Sequence, residues 1–195
     1  MMKRNNFAAI LGILLAFCAV MSASANPPKF FSQIPLFSLE SENAKPFGLN
    51  DLKGKVWIAD FIYTHCTDEC PMLTAKMAKL QKTFQKFNDI RLVSVSIDPT
   101  HDTPKVLRDY ASHYGADLNR WIFLTGDKKT IKELVQKGFH LPLITNPQQP
   151  GLIMAHSNFL VLVDQNEKIR GYYDSTNPEK MKELVHDAES LATQK

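Results

Sequence analysis

Apolar residues in this chain fall into short continuous runs, and stretches with helical spacing separate them. Val56 to Tyr63 is almost unbroken in its apolar character, as expected of a central strand covered on both faces. After Pro71, Leu73, Met77, Leu80, Phe84 and Phe87 recur in steps of three and four, which marks one face of a helix. Ile90 to Ile97 reads as the next strand. Thr103 and Pro104 then open a helix with Val106, Leu107, Tyr110, Ala111 and Tyr114 on its apolar face, and Gly115 stops it. Trp121 to Thr125 predicts a third strand and Lys128 to Lys137 a short helix ended by Gly138. Ser157 to Val163 and Lys168 to Tyr173 predict a hairpin around Asp164-Gln165-Asn166-Glu167. Asn177 and Pro178 begin a last helix, striped by Met181, Leu184, Val185, Ala188 and Leu191. Less regular stretches lie between. Ile34 to Leu39 predicts a short strand, residues 41 to 45 a turn and residues 47 to 55 a turn-rich connector. Residues 139 to 155, with Pro142, Pro147 and Pro150, predict a long loop.

This alternation of strand and helix argues an α/β sheet, and the closing hairpin makes it mixed. Ligands of such sheets gather at the carboxyl ends of the strands. The stretch Tyr63-Thr64-His65-Cys66-Thr67-Asp68-Glu69-Cys70-Pro71 falls there, between the first long strand and its helix. Pro is favoured at the first position of a helix, so the pattern sets Cys70 at the N-cap and Cys66 in the loop before it. Thiols at helix N-termini become reactive, because unpaired N–H groups and the helix dipole stabilise a thiolate.

The first 25 residues predict a different role. Lys3 and Arg4 precede an uncharged apolar stretch from Phe7 to Met21, and Ala23-Ser24-Ala25 fits a small-x-small cleavage pattern. The reading is a signal peptide over residues 1–25, an extended Pro-rich lead over 26–33, and one domain over 34–195. The competing reading is an uncleaved anchor, but the apolar run is shorter than the roughly 20 residues a spanning helix needs. Cys18 lies inside the run, and bulky Phe17 before it argues against lipid attachment. The mature chain is then close to neutral and carries no electrostatic footprint for nucleic acid.

Cleavage leaves Cys66 and Cys70 as the remaining thiols. In an exported protein two cysteines usually form one disulfide, so a structural staple is the plain alternative. A bridge closing so short a loop constrains the unfolded chain little, which favours chemistry over stapling. Asp60, the one charge in its strand, would either tune these thiols or be an exposed or hydrogen-bonded structural carboxylate. Met72 and Met77 fit core packing better than thioether ligation of copper.

Of six histidines, His101, His113, His140 and His186 read as solvated or structural, and His65 as a minor ligand candidate. His156 stands at the start of an apolar strand, after the long loop. Alone it would more often be structural. Beside two thiolates it completes a soft donor set that suits Cu(I), with Cu(II) and zinc as competitors.

Three blocks of the chain together resemble the Sco/SenC family of copper chaperones. They are Phe61-Ile62-Tyr63-Thr64-His65-Cys66 through Cys70-Pro71; Val93-Ser94-Val95-Ser96-Ile97-Asp98-Pro99 with Asp102-Thr103-Pro104; and His156-Ser157 before the strand Phe159 to Asp164. The resemblance implies a thioredoxin-like mixed sheet with flanking helices. It implies copper on Cys66, Cys70 and His156. It also implies a periplasmic protein that supports assembly of the copper centre of cytochrome c oxidase, with subunit II or another copper or thiol protein as acceptor. Two departures stand out. Thr67 follows the first cysteine where the family often has Pro, and Ala155 precedes the histidine where it often has Asp. Loss of that carboxylate would loosen the imidazole and leaves room for a thiol–disulfide oxidoreductase, with Cys66 and Cys70 as redox thiols. No proline precedes His156 directly, which speaks against a general reductase. A peroxidase would need an activating arginine, and Arg91 and Arg108 are the nearest in sequence.

Overall fold

The computed structural model describes residues 32–65, 69–145, 153–154 and 158–194. The predicted signal peptide, most of the extended lead, Cys66, Thr67 and residues 155–157 lie outside the described residues.

The strands are β1 (Ser38–Ser41), β2 (Pro46–Gly48), β3 (Val56–Ile62), β4 (Ile90–Ser96), β5 (Trp121–Thr125), β6 (Ile144–Thr145), β7 (Ile153–Met154), β8 (Phe159–Val163) and β9 (Ile169–Asp174). The helices are α1 (Glu69–Thr83), α2 (Pro104–His113), α3 (Lys128–Glu133) and α4 (Pro178–Thr193). Seven strands form one sheet in the order β2-β1-β5-β4-β3-β8-β9, and β6 and β7 pair as a separate antiparallel hairpin. β3, β4 and β5 are parallel, with β3 beside β4 in the middle, and β8 runs antiparallel to β3. The mixed α/β sheet expected from the sequence is the one observed.

β3 is buried along its whole length, which explains its unbroken apolar run. Successive side chains point to opposite faces. Trp57, Ala59 and Phe61 join Val93, Val95, Val161, Val163, Ile131, Val135 and Phe139 in one core. Val56, Ile58 and Ile62 join Leu73, Met77, Leu80, Leu107, Trp121, Phe123 and Leu184 in the other. The first core lies under α3, the second under α1, α2 and α4.

Helix starts follow the expected capping chemistry. Thr103 Oγ1 accepts the Val106 N–H, and Asn177 Oδ1 accepts those of Glu179 and Lys180. Gly115, just past α2, takes the left-handed conformation that its lack of a Cβ allows.

Several expectations are corrected. The first strand lies at 38–41 rather than 34–39, and the predicted connector contains β2 and a 3-10 turn over Leu49–Leu52. The third helix widens after Glu133 into a π turn over Leu134–Gly138. The predicted long loop holds β6 and β7. Val106 and Met72 were expected in the core, but both are exposed. Val106 is at the solvent edge of the α2 stripe, and Met72 lies off the line of Leu73, Met77 and Leu80 on α1.

Candidate metal centre

β3 ends at Ile62, and Tyr63 to His65 lead towards Cys66. Ile97 N–H donates to the Ile62 carbonyl at 2.9 Å, so the chain leaving β4 starts beside the chain leaving β3. Asp102 then ties the two segments together. Its carboxylate accepts the Thr64 hydroxyl at 2.6 Å, the Thr64 N–H at 3.1 Å and the Ser96 hydroxyl at 2.6 Å. Ser96 Oγ in turn accepts the Asp98 N–H at 3.1 Å. A fully buried carboxylate with this many donors is well compensated. It fixes Thr64, just past β3, against Ser96 at the end of β4.

Cys70 is the second residue of α1, within its first turn, rather than the cap itself. Pro71 still fits, since the first N–H groups of a helix have no internal acceptor to lose. The Cys70 side chain is buried, at 8% exposure, against the core under α1. Negative charge on sulfur is favoured in the first turn of a helix. Thr74 Oγ1 donates to the Cys70 carbonyl at 2.8 Å. Its only proton is thereby used, so Tyr110 is the donor in the 2.8 Å contact between the two hydroxyls. Burial, first of all, pushes the Tyr110 phenol far above its ordinary range and keeps it protonated.

Asp60 lies on the same sheet face, fully buried, and neither carboxylate oxygen has a hydrogen-bond partner of ordinary geometry. Desolvation pushes its pKa up to about 7, while Ser94, opposite it on β4, works the other way. The exposed alternative is excluded: Asp60 is a fully buried acid on the sheet face under α1.

β8 runs antiparallel to β3 with Ala59 opposite Val161, so β8 begins at the end of the sheet where β3 finishes. Cys66 and His156 lie outside the described residues, so among the three predicted ligands only Cys70 has a described side chain.

Sequence reasoning passed over a cluster at this same corner. His101 Nδ1 is 2.6 Å from Asp98 Oδ2, and His65 Nε2 is 3.6 Å from the same oxygen. The two imidazole centroids are 5.0 Å apart. The available signal was the parallel register of Ile62 with Ser96, which sets the loops after β3 and β4 side by side. The arginines considered for a peroxidase are engaged elsewhere. Arg91 donates to the Asn88 and Ile90 carbonyls at the opposite end of β4, and Arg108 to the Glu42 carbonyl.

Comparison with known proteins agrees with this architecture. The SCO1/SenC family model matches residues 27–193. A SCO1/SenC family lipoprotein from Bacillus anthracis strain Ames is 33% identical, with a TM-score of 0.74 over 83% of this chain and 95% of that one. BsSco, a member of the Sco family of cytochrome c oxidase assembly proteins in which a disulfide switch was identified, is 32% identical. Its TM-score is 0.75, over 88% of this chain and 99% of its own. Yeast Sco1 with copper bound is 25% identical, with a TM-score of 0.64 over 85% and 96% of the two chains. The fold is the thioredoxin-like one of these structures.

Proposed function

Since this chain belongs to the SCO1/SenC family, we propose that it binds copper through the thiolates of Cys66 and Cys70 and one ring nitrogen of His156. Its role is then to support assembly of the copper centre of cytochrome c oxidase, with copper as cargo and oxidase subunit II as the acceptor. Transfer would proceed by exchange of one thiolate ligand for another. Two thiolates and an imidazole are donors that copper prefers. The observation that carries the reading is the position of Cys70. It is buried in the first turn of α1, at the sheet end from which β3 leaves and at which β8 begins. The relation to copper-bound yeast Sco1 supports the choice of metal.

Anaerobic titration of the reduced protein with Cu(I) tests this. One equivalent should bind, Cys66→Ser or Cys70→Ser should abolish tight binding, and His156→Ala should weaken it by about 10- to 100-fold. Unchanged affinity in His156→Ala would remove that residue from the site.

A thiol–disulfide role for the same two sulfurs is the second reading. It is favoured by the disulfide switch of BsSco and by Ala155 in place of a carboxylate before His156. A disulfide and a metal site are alternative states of one thiol pair, and a reduction potential measured beside the copper affinity separates their weight. We place the protein outside the cytoplasm, in the periplasm, on the pattern of residues 1–25, with a lipoprotein relative in support.

A further inference from the structure

The geometry points to a second metal site, formed by His65, Asp98 and His101, that takes a divalent first-row transition ion, Cu(II) most tightly. It goes beyond the thiol site and stands whether or not the cysteines bind copper. The candidate donor atoms of the three residues lie within 4.8 Å of one another. Asp98 has one oxygen facing both rings, at 2.6 Å from His101 Nδ1 and 3.6 Å from His65 Nε2. Metal–nitrogen and metal–oxygen bonds of about 2.0–2.2 Å set neighbouring ligand atoms roughly 3 Å apart. Seating an ion between them therefore asks one contact to open by a few tenths of an ångström and the other to close by about as much. The two imidazoles can move that far, because their side chains are 45% and 69% exposed.

Two features distinguish this cluster from an ordinary surface histidine pair. The first is charge. The Asp98 side chain is only 6% exposed, and its ion-pair partners among the described residues are the two histidines, with no lysine or arginine. A buried carboxylate needs a counter-charge, and a bound cation would supply one. The second is rigidity. The Asp102 carboxylate holds Thr64 and Ser96, and Ser96 holds the Asp98 N–H, so His65 and Asp98 are set from one buried hub. Sites built on strand ends and braced in this way are positioned before the metal arrives.

The donor set decides the ion. Two imidazoles and a carboxylate form a harder site than paired thiolates. That disfavours Cu(I) and suits Cu(II) or zinc, with Cu(II) ahead in the usual affinity order. The remaining positions are open to solvent on the exposed side of both rings. His65 directly precedes Cys66 in the sequence.

The test uses the full chain carrying Cys66→Ser, Cys70→Ser and His156→Ala, titrated with Cu(II) alone. One equivalent should bind, with an electron paramagnetic resonance spectrum of tetragonal copper showing two coordinated nitrogens. Adding His101→Ala or His65→Ala should weaken binding at least tenfold and leave one nitrogen, while circular dichroism stays unchanged. His113→Ala, on exposed α2, should change neither reading. Absence of stoichiometric uptake, or uptake with two nitrogens that survives both single changes, would overturn the site and leave the cluster as a brace between loops.

Discussion

The two faces of the sheet are built from the same strands and yet differ in kind. The face under α3 is filled by Trp57, Phe61, Val93, Val95, Val135 and Phe139, and Trp57 and Phe61 meet Phe139 edge to face. The face under α1 also has an apolar core, but Asp60, Thr74, Ser94 and Ser96 are fully buried beside it. Polar groups are costly inside a protein unless they are partnered. Their concentration on the side that carries Cys70 separates a face that supplies stability from a face that gives up some of it to chemistry. Asp60 is the clearest case, since burial penalises its charged form.

The contrast breaks first where its apolar half is removed. Phe139→Ala should cost about 3–5 kcal/mol by losing a fully buried ring from an aromatic cluster, while Cu(I) stoichiometry of the folded fraction stays at one. Urea denaturation beside a copper titration checks both halves of that statement.

Asp60 sharpens the contrast through pH. Its carboxyl ionises near 3.8 in the unfolded chain and near 7 in the fold. Between those values the folded state holds the extra proton, so stability falls as pH rises through that window and stays low above it. Below the window the penalty is absent. The full penalty is on the order of 4 kcal/mol. Asp60→Asn should remove most of that slope, seen as a urea midpoint that no longer drops between about pH 4 and pH 7.

Asp102→Ala should cost about 2–3 kcal/mol, since it strips acceptors from Thr64 and Ser96 together. Unlike Phe139→Ala, it should also weaken Cu(II) binding at His65 and His101. The smallest effect belongs to Asn177→Ala, which removes a helix cap far from the corner. It should lower stability by about 1 kcal/mol with copper affinity unchanged.

Much of this molecule was legible from spacing alone. β3, α1 and the Asn177-Pro178 helix start were read correctly, because burial on two faces, a helical stripe and a cap each leave a local mark. β2 was read as a turn because a three-residue edge strand made of Pro, Phe and Gly lacks strand composition. β6 and β7 were missed for a similar reason, since two residues cannot show a period. Met72 was assigned to the core by composition, whereas its angular position on α1 decides its exposure. The pairing of His65 with His101 was invisible because it is tertiary. It exists only because β3 and β4 are parallel neighbours whose ends are clasped by Asp102. Of the predicted copper ligands, Cys70 was expected as a helix N-cap and is found two positions further in, as the second residue of α1.

The most direct test of the central claim is X-ray absorption on the reduced, copper-loaded protein with His65 and His101 both changed to Ala, so that only the thiol site remains. The account predicts two sulfur ligands and one imidazole on each copper, with the imidazole signal lost on His156→Ala. A copper environment without sulfur, or one whose imidazole persists in His156→Ala, would contradict it.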